Sequence, residues 1–544
     1  MTGKPVRRAQ SYVAAAAVLA LGLAACSGNG GDDSGGGSGS GGDDVLNVLV
    51  LKHALTGPME GMQWVSELEE QADVSIRWEE ISADWDQAKS TMLAAGDIPD
   101  LIVGTNAITD SDLSTFTGLF EDLSQHMESL PNVRAMFDEI PEMEVMAQHS
   151  EGAIYALPGY KRFWPETVTH QYINQEWLDN LGLEVPTTWD ELFDVLVAFK
   201  EEDANGSGDP HDEIPMDWAP TGSGGFGYFQ PTVLMGSLGL PLTGGGGPGY
   251  FVEDGEVKSF LVDERYREVV AFLHRCYAEG LISEEVMTQD YSAYQSVGRG
   301  SGDTARVGLS WGWTASDRFG SQLAPQYTAM APLLAEEGQD ESDLTWTYDS
   351  YGENFPQNQI VMSAQSGNAE AALRVINAFY DQDISLQVLW GDMGTNIEQI
   401  DENTYEVLPP ADGETDPSSW KWTTTLADNG PTWIRDDIDV EIPVDLSEAV
   451  EEAEPLEGAL ANMDLVADVF PWQFITLTPE DQTAVANRDV DILGVAMTNW
   501  GVWITGGGIE EDWDSYIQQV ENSGLNENIE IYQRYYDEYV AALD

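Results

Sequence analysis

Residues 187–215 read Thr-Thr-Trp-Asp-Glu-Leu-Phe-Asp-Val-Leu-Val-Ala-Phe-Lys-Glu-Glu-Asp-Ala-Asn-Gly-Ser-Gly-Asp-Pro-His-Asp-Glu-Ile-Pro. The first half predicts a helix: Thr188 caps it, Glu191 three residues on reaches back, and Leu192, Val195, Leu196 and Phe199 form one apolar stripe. The second half predicts a calcium loop. Asp203, Asn205, Ser207 and Asp209 place oxygen-bearing side chains at alternate positions, and Gly206 and Gly208 let the backbone curl so that those oxygens converge. The twelfth position from Asp203 is Ile214, where an EF-hand carries a bidentate Glu, so Asp212 and Glu213 are the acids expected to close the shell.

The N-terminus is a leader by its pattern. Lys4, Arg7 and Arg8 precede an apolar run from Tyr12 to Ala25, and Leu-Ala-Ala-Cys closes it at Cys26. This ending resembles a bacterial lipobox, so residues 1–25 are expected to be a lipoprotein signal peptide and Cys26 the lipidated residue. Residues 26–44 are almost wholly Gly, Ser, Asp and Asn, a composition that buries no core and serves as a tether. The expected location is extracytoplasmic, lipid-anchored to the outer face of the cell membrane. The only other cysteine, Cys276, lies in an apolar helical run, so no intrachain disulfide framework is expected.

The rest of the chain is long enough for more than one core. Its balance of 22 basic and 96 acidic residues, a net charge of −74, excludes a general nucleic-acid or anionic-membrane surface. Between Val45 and Val103 the pattern runs strand, helix, strand, helix, strand, which argues for a parallel sheet with helices on its faces. Ligands of such sheets sit at the carboxyl ends of the strands, here near Lys52, His53, Gly104, Thr105 and Asn106. The run Gly159 to Pro165 marks a crossing point, residues 222–249 are too glycine-rich to be regular, and long helices are predicted after Pro479.

Several blocks together resemble one family. They are Ala-Gly-Asp-Ile-Pro-Asp (95–100), Glu-Gly-Ala-Ile-Tyr-Ala-Leu-Pro (151–158), Trp177 to Leu192 with the calcium loop, Tyr-Ala-Glu-Gly-Leu-Ile (277–282), and Ile504 to Gly506 with Trp513 to Tyr516 and Tyr532 to Tyr539. The chain from about Val45 resembles the extracellular solute-binding proteins of bacterial ABC importers, family 1, in the large lipoprotein branch that includes alginate-oligosaccharide-binding proteins. The loop departs by one extra residue before Asp212, and residues 408–464 do not align.

The resemblance implies an α/β, two-lobed, periplasmic-binding-protein-like (type II) fold with discontinuous lobes and a hinged cleft. The boundaries expected are 45–162 with 306–365 for the first lobe, and 163–305 with 366–544 for the second, which carries the calcium loop 203–213 and the C-terminal helices. It further implies a monomer that captures an oligosaccharide, performs no chemistry and passes it to ABC permease membrane subunits.

Sugars offer apolar ring faces and a rim of hydroxyls, so aromatic side chains in loops are the expected contacts. Of 18 tryptophans, Trp164, Trp218, Trp311 and Trp313 are the first candidates and Trp420 and Trp422 the second. An alginate-type polyanion would need clustered cations, for which only Lys161, Arg162, Arg306 and Arg318 stand near the expected cleft. A neutral oligosaccharide is therefore favoured. The competing class is a secreted carbohydrate-active hydrolase or lyase, whose two carboxylates cannot be picked out among 96 acids.

Overall fold

The helix predicted from the opening stretch forms at Trp189–Glu201. Thr188 caps it by accepting from the Glu191 amide at 3.2 Å, and the Glu191 carboxylate reaches one residue further back, to the amide and hydroxyl of Thr187. These bonds hold the Glu191 carboxyl below its ordinary range. Leu192, Val195, Leu196 and Phe199 are all buried, Phe199 edge-on to Trp177 with centroids 5.1 Å apart. The computed structural model describes residues 45–543 except 54, 84, 117, 150–151, 164, 210, 223–224, 301, 410–422 and 442–443. Residues 43–544 form one unit. Cys26, the signal peptide and the tether lie outside the described residues, as do Trp164, Trp420 and Trp422.

In chain order the strands are β1 (Val45–Leu51), β2 (Ser75–Ile81), β3 (Leu101–Val103), β4 (Ala156–Leu157), β5 (His170–Asn174), β6 (Ile214–Met216), β7 (Tyr250–Glu253) and β8 (Glu256–Ser259). Then follow β9 (Val307–Gly312), β10 (Tyr327–Ala329), β11 (Ile360–Met362), β12 (Ile397–Asp401), β13 (Thr404–Val407) and β14 (Asp439–Glu441). The first sheet has the order β2-β1-β3-β11-β4, with β1 parallel to β2 and β3 and with β11 antiparallel to its neighbours. Leu46, Val48, Val50 and Val103 face one core while Leu49, Ile102 and Val361 face another, so both sides of this sheet are covered. The second sheet has the order β10-β5-β9-β6, with β9 antiparallel to β5 and parallel to β6. The two sheets and their separate cores make the two α/β lobes.

The expected lobe boundaries need correction at two places. Residues 306–365 do not all belong to the first lobe: β9 and β10 pair into the second sheet, and only β11 returns to the first. The described residues of 366–409 and 423–441 belong with the first lobe instead of the second, because Ala371 to Val388, Leu426 and Trp433 complete its core. Strands β12 to β14 form a small sheet packed through Ile397, Tyr405 and Val440 on Leu386 and Trp390. Only from residue 444 does the chain rejoin the second lobe, where Leu456 to Tyr536 pack into its core.

The chain thus crosses between lobes after β4, before β11 and after β14. The first two crossings run side by side: the Gly159 amide donates to Pro356 O at 2.9 Å, Lys161 N to Asn354 O at 2.8 Å, and Asp349 N to Glu166 O at 2.7 Å. Gly159 gives the crossings room, because a Cβ there would lie 2.4 Å from the Gln359 side-chain oxygen and 3.1 Å from the Thr432 carbonyl oxygen. Asp349 pins the crossings to the second lobe by accepting from Val168 N (2.9 Å), Gly244 N (2.8 Å) and the Thr347 hydroxyl (2.8 Å). Burial raises its carboxyl above the usual range against those donors. Behind the crossings, Phe474 and Tyr539 of the C-terminal part pack on Met146 and Phe355 of the first lobe.

Candidate functional site

Each sheet aims the carboxyl ends of its parallel strands at a loop cluster. In the first lobe β1 leads to Lys52 and His53, and β3 to Gly104, Thr105 and Asn106, as the sequence pattern implied. Gly104 turns the chain with φ at 149°, where a Cβ would lie 2.7 Å from that of Leu51. Asn106 holds a positive φ of 50°.

In the second lobe the central strand β9 ends at Gly312 and Trp313 follows it directly. This indole is half-buried, and its carbonyl accepts from His170 Nδ1 at 2.5 Å and from the Tyr172 hydroxyl at 3.2 Å. The His170 ring lies 6.0 Å from the Trp313 ring. Burial pushes His170 down to about 4, so it stands neutral with its proton on Nδ1. The helix Ala315–Leu323 starts directly after Trp313, capped by Thr314.

The other parallel strand, β6, leads into Asp217 to Phe229. The loop folds back so that Ala219 N donates to Phe229 O at 3.1 Å and Phe229 N to the Thr169 hydroxyl at 3.3 Å. Phe229 holds φ at 64°, a strained value for an aromatic residue, and its ring lies 6.1 Å from that of Tyr228. Both rings are half-buried. Sequence reasoning missed this aromatic pair; the glycines at 224, 225 and 227 beside it were the available signal. The backbones here approach closely, since a Cβ on Gly245 would lie 2.1 Å from Gly227 O.

Two of the expected sugar contacts are core residues. Trp218 is 1% exposed and Trp311 0%, both within the second-lobe core, and neither has a ring face left for a ligand. Trp313 alone among the described tryptophan candidates keeps a partly open side chain at a strand end.

Of the four cations expected for an acidic sugar, Arg306 is exposed but lies at the start of β9, at the end opposite Trp313, and the other three are held or buried. Arg318 is fully buried: it bonds Asp217 at 2.6 Å, Tyr294 O at 2.6 Å and Ser310 Oγ at 3.0 Å, and lies 3.7 Å over the Tyr294 ring. Gly298 makes the space, because a Cβ there would fall 1.8 Å from the guanidinium. Burial raises the Asp217 carboxyl even with this partner. Arg162 donates to the carbonyls of Arg435, Asp436 and Ile438. Lys161 is 5% exposed.

The calcium loop is closed on itself. Gly206 and Gly208 take φ of 67° and 91°. Asp203 accepts from Gly208 N at 3.0 Å, Asn205 Oδ1 from Ser207 N at 2.8 Å, and Asp212 Oδ1 from Asn205 Nδ2 at 2.8 Å and Ser207 Oγ at 3.2 Å. Asp209 turns outward to the amide of His211 at 3.3 Å. Glu213 Oε2 is buried without a hydrogen-bond partner, and burial followed by the charges of Asp212 and Asp203 raises this carboxyl. As the side chains stand, no three His, Cys, Asp or Glu among the described residues are set as metal ligands. An orphaned buried carboxylate oxygen amid hard oxygen donors nevertheless fits a calcium ion.

Residues 60–383, more than half of the chain, match the family described as bacterial extracellular solute-binding protein, and the chain belongs to that family. Its two-lobed fold is that of the solved members. An HMO-binding, ABC-transporter-associated solute-binding protein from Bifidobacterium longum infantis superposes with a TM-score of 0.83 at 34% identity, over 92% of this chain and 99% of that one. The fructooligosaccharide ABC transporter substrate-binding protein FusA of Streptococcus pneumoniae is 27% identical over 490 residues, 87% of this chain and 86% of that protein. The FusA complex with kestose gives a TM-score of 0.73 at 26% identity, over 92% of this chain and all of the other. A second FusA structure, an EF-hand mutant with fructo-nystose, superposes equally well at 25% identity, with the same coverage. Among the described residues no helix is long and apolar enough to cross a membrane.

Proposed function

We propose that this chain is the substrate-binding lipoprotein of an ABC importer, that it captures a neutral oligosaccharide between its lobes, and that it delivers the sugar unchanged to membrane permease subunits. The observation that carries this reading is the pairing of open aromatic surface with unavailable cations at the second-lobe strand ends. Trp313, Tyr228 and Phe229 offer ring faces for stacking, while Arg318 and Arg162 are held by the protein itself. The oligosaccharides named for the FusA and HMO-binding relatives support a glycan ligand. Closure follows from tighter binding of the sugar by the closed form. The protein acts as a monomer without catalysis, tethered through a lipid on Cys26.

Asp203, Asn205, Ser207, Asp212 and Glu213 would hold a calcium ion, with Asp209 as an outer partner. The ion would brace the turn between the 189–201 helix and β6 and take no part in sugar contact. That the relative FusA carries an EF-hand, named in the mutant structure, supports a calcium loop here. Calorimetry with kestose, neutral milk-type oligosaccharides and uronate oligosaccharides tests the function. Saturable binding of a neutral glycan is expected; binding of uronates alone, or cleavage of the glycan, would overturn it.

A further inference from the structure

One short segment ties the lobe crossings to both aromatic elements of the candidate sugar platform. Residues 166–170 lead from the first crossing into β5. The Glu166 carbonyl accepts from Asp349 N at 2.7 Å, and Val168 N donates to the Asp349 carboxylate at 2.9 Å, so the segment is fixed to the second crossing. Thr169 then accepts twice: its hydroxyl from Phe229 N at 3.3 Å, its carbonyl from the Trp346 indole at 2.9 Å. His170 pairs with Gly312, the last residue of β9, and Trp313 lies one step beyond that pair. There side chains of β5 take over from the ladder. His170 Nδ1 donates to Trp313 O at 2.5 Å, and the Tyr172 hydroxyl donates to the same oxygen at 3.2 Å. Thr169 and His170 are both 0% exposed, and His170 Nε2 is buried without a hydrogen-bond partner. The imidazole thus makes the Trp313 bond while its other nitrogen stays unsatisfied, which costs stability.

We propose that Thr169 and His170 are positioning residues for sugar binding: through the Phe229 amide and the Trp313 carbonyl they fix the two aromatic elements relative to each other and to the crossings. The inference rests on the carbohydrate-binding reading above. Phe229 needs such a hold, because its φ of 64° is a strained value for an aromatic residue. Trp313 needs one because it stands between the end of β9 and Thr314, the cap of the next helix. Rings set in place before a sugar arrives lose little freedom on binding it, since their ordering is completed on folding. Buried groups that hold such rings govern affinity without touching the ligand. Because Asp349 binds the same segment, the crossings and both rings belong to one continuous hydrogen-bonded unit.

The test is calorimetry on the full-length protein with the tightest-binding neutral oligosaccharide of a panel that includes kestose, alongside urea unfolding of each variant. His170→Leu keeps bulk and loses the donor, and Thr169→Val loses the acceptor; each should weaken binding roughly tenfold. His170→Asn places an amide N–H where Nδ1 stands, and Thr169→Ser keeps the hydroxyl, so both should restore most of the affinity. In a Trp313→Ala background His170→Leu should cause no further loss, because its effect passes through Trp313. A merely structural role would lower stability, with additive losses and no such rescue of affinity. The proposal is overturned if His170→Leu and Thr169→Val fold and bind as the native chain does, or if His170→Asn and Thr169→Ser bind as weakly as they do. Should His170→Leu fail to fold, Thr169→Val and Thr169→Ser must show the loss and the rescue. If no neutral oligosaccharide binds the native protein, the carbohydrate reading itself fails; if one binds and the variants hold it as tightly, this inference alone fails.

Discussion

Replacing Arg318 with Met separates a buried structural cation from a ligand contact. The guanidinium is 0% exposed, and its loss would strand the Asp217 carboxylate, itself 1% exposed, with only the Gln289 amide and local backbone as donors. Breaking a buried ion pair by removing one partner costs about 3–5 kcal/mol. The alternative, protonating Asp217 at pH 7, costs about 4 kcal/mol for a carboxyl of ordinary acidity, so both routes give the same scale. The contact over the Tyr294 ring adds about 1 kcal/mol. Urea unfolding followed by tryptophan fluorescence should therefore show the second lobe weakened by about 4 kcal/mol. The double variant Arg318→Met with Asp217→Asn should recover most of that loss, and sugar affinity in the surviving folded protein should hold. A loss below 1 kcal/mol, or a fall in affinity at unchanged stability, would refute the assignment of Arg318 to the core.

Trp313→Ala should weaken glycan binding roughly tenfold or more with little change in melting temperature, whereas Trp218→Ala should cost about 3–5 kcal/mol of stability; calorimetry and thermal melting on both variants check the contrast. Glu452 carries a raised carboxyl, so between its unfolded value and about 7 the folded chain holds the extra proton. Its stabilising contribution is complete below the unfolded value and is lost as pH rises through about 7, so melting temperature should fall from pH 5 to pH 8 with a slope that Glu452→Gln reduces. Millimolar calcium should raise the melting temperature, by about 2.7 kcal/mol of stability at a hundredfold excess over Kd. Glu213→Gln should abolish most of that gain, and an equal gain in the variant would remove Glu213 from the site.

The helix at 189–201 was legible because its cap, its reach-back acid and its apolar stripe are all local. The β1 to β3 start was legible for the same reason. Lobe membership was not, since β9 joins β5 across more than a hundred residues and nothing within Val307–Gly312 names its partner. Trp311 and Trp313 stand two residues apart with the same surroundings in sequence, yet one is core and the other stays partly open because the strand ends at Gly312 between them. Arg318 looked available until its partner Asp217, 101 positions away, was found beside it. The 444–453 helix lay inside an acidic stretch where charge masks the apolar pattern, and the two glutamates that accept from the Ala315 and Ser316 amides could not be told from their neighbours.

The most direct test is a calorimetric titration of the full-length protein with a neutral oligosaccharide. A saturable one-to-one isotherm, with the sugar recovered intact, is expected. Heat that continues to flow as the sugar is consumed, or no saturable heat with any neutral glycan, would contradict a trap that grips carbohydrate without altering it.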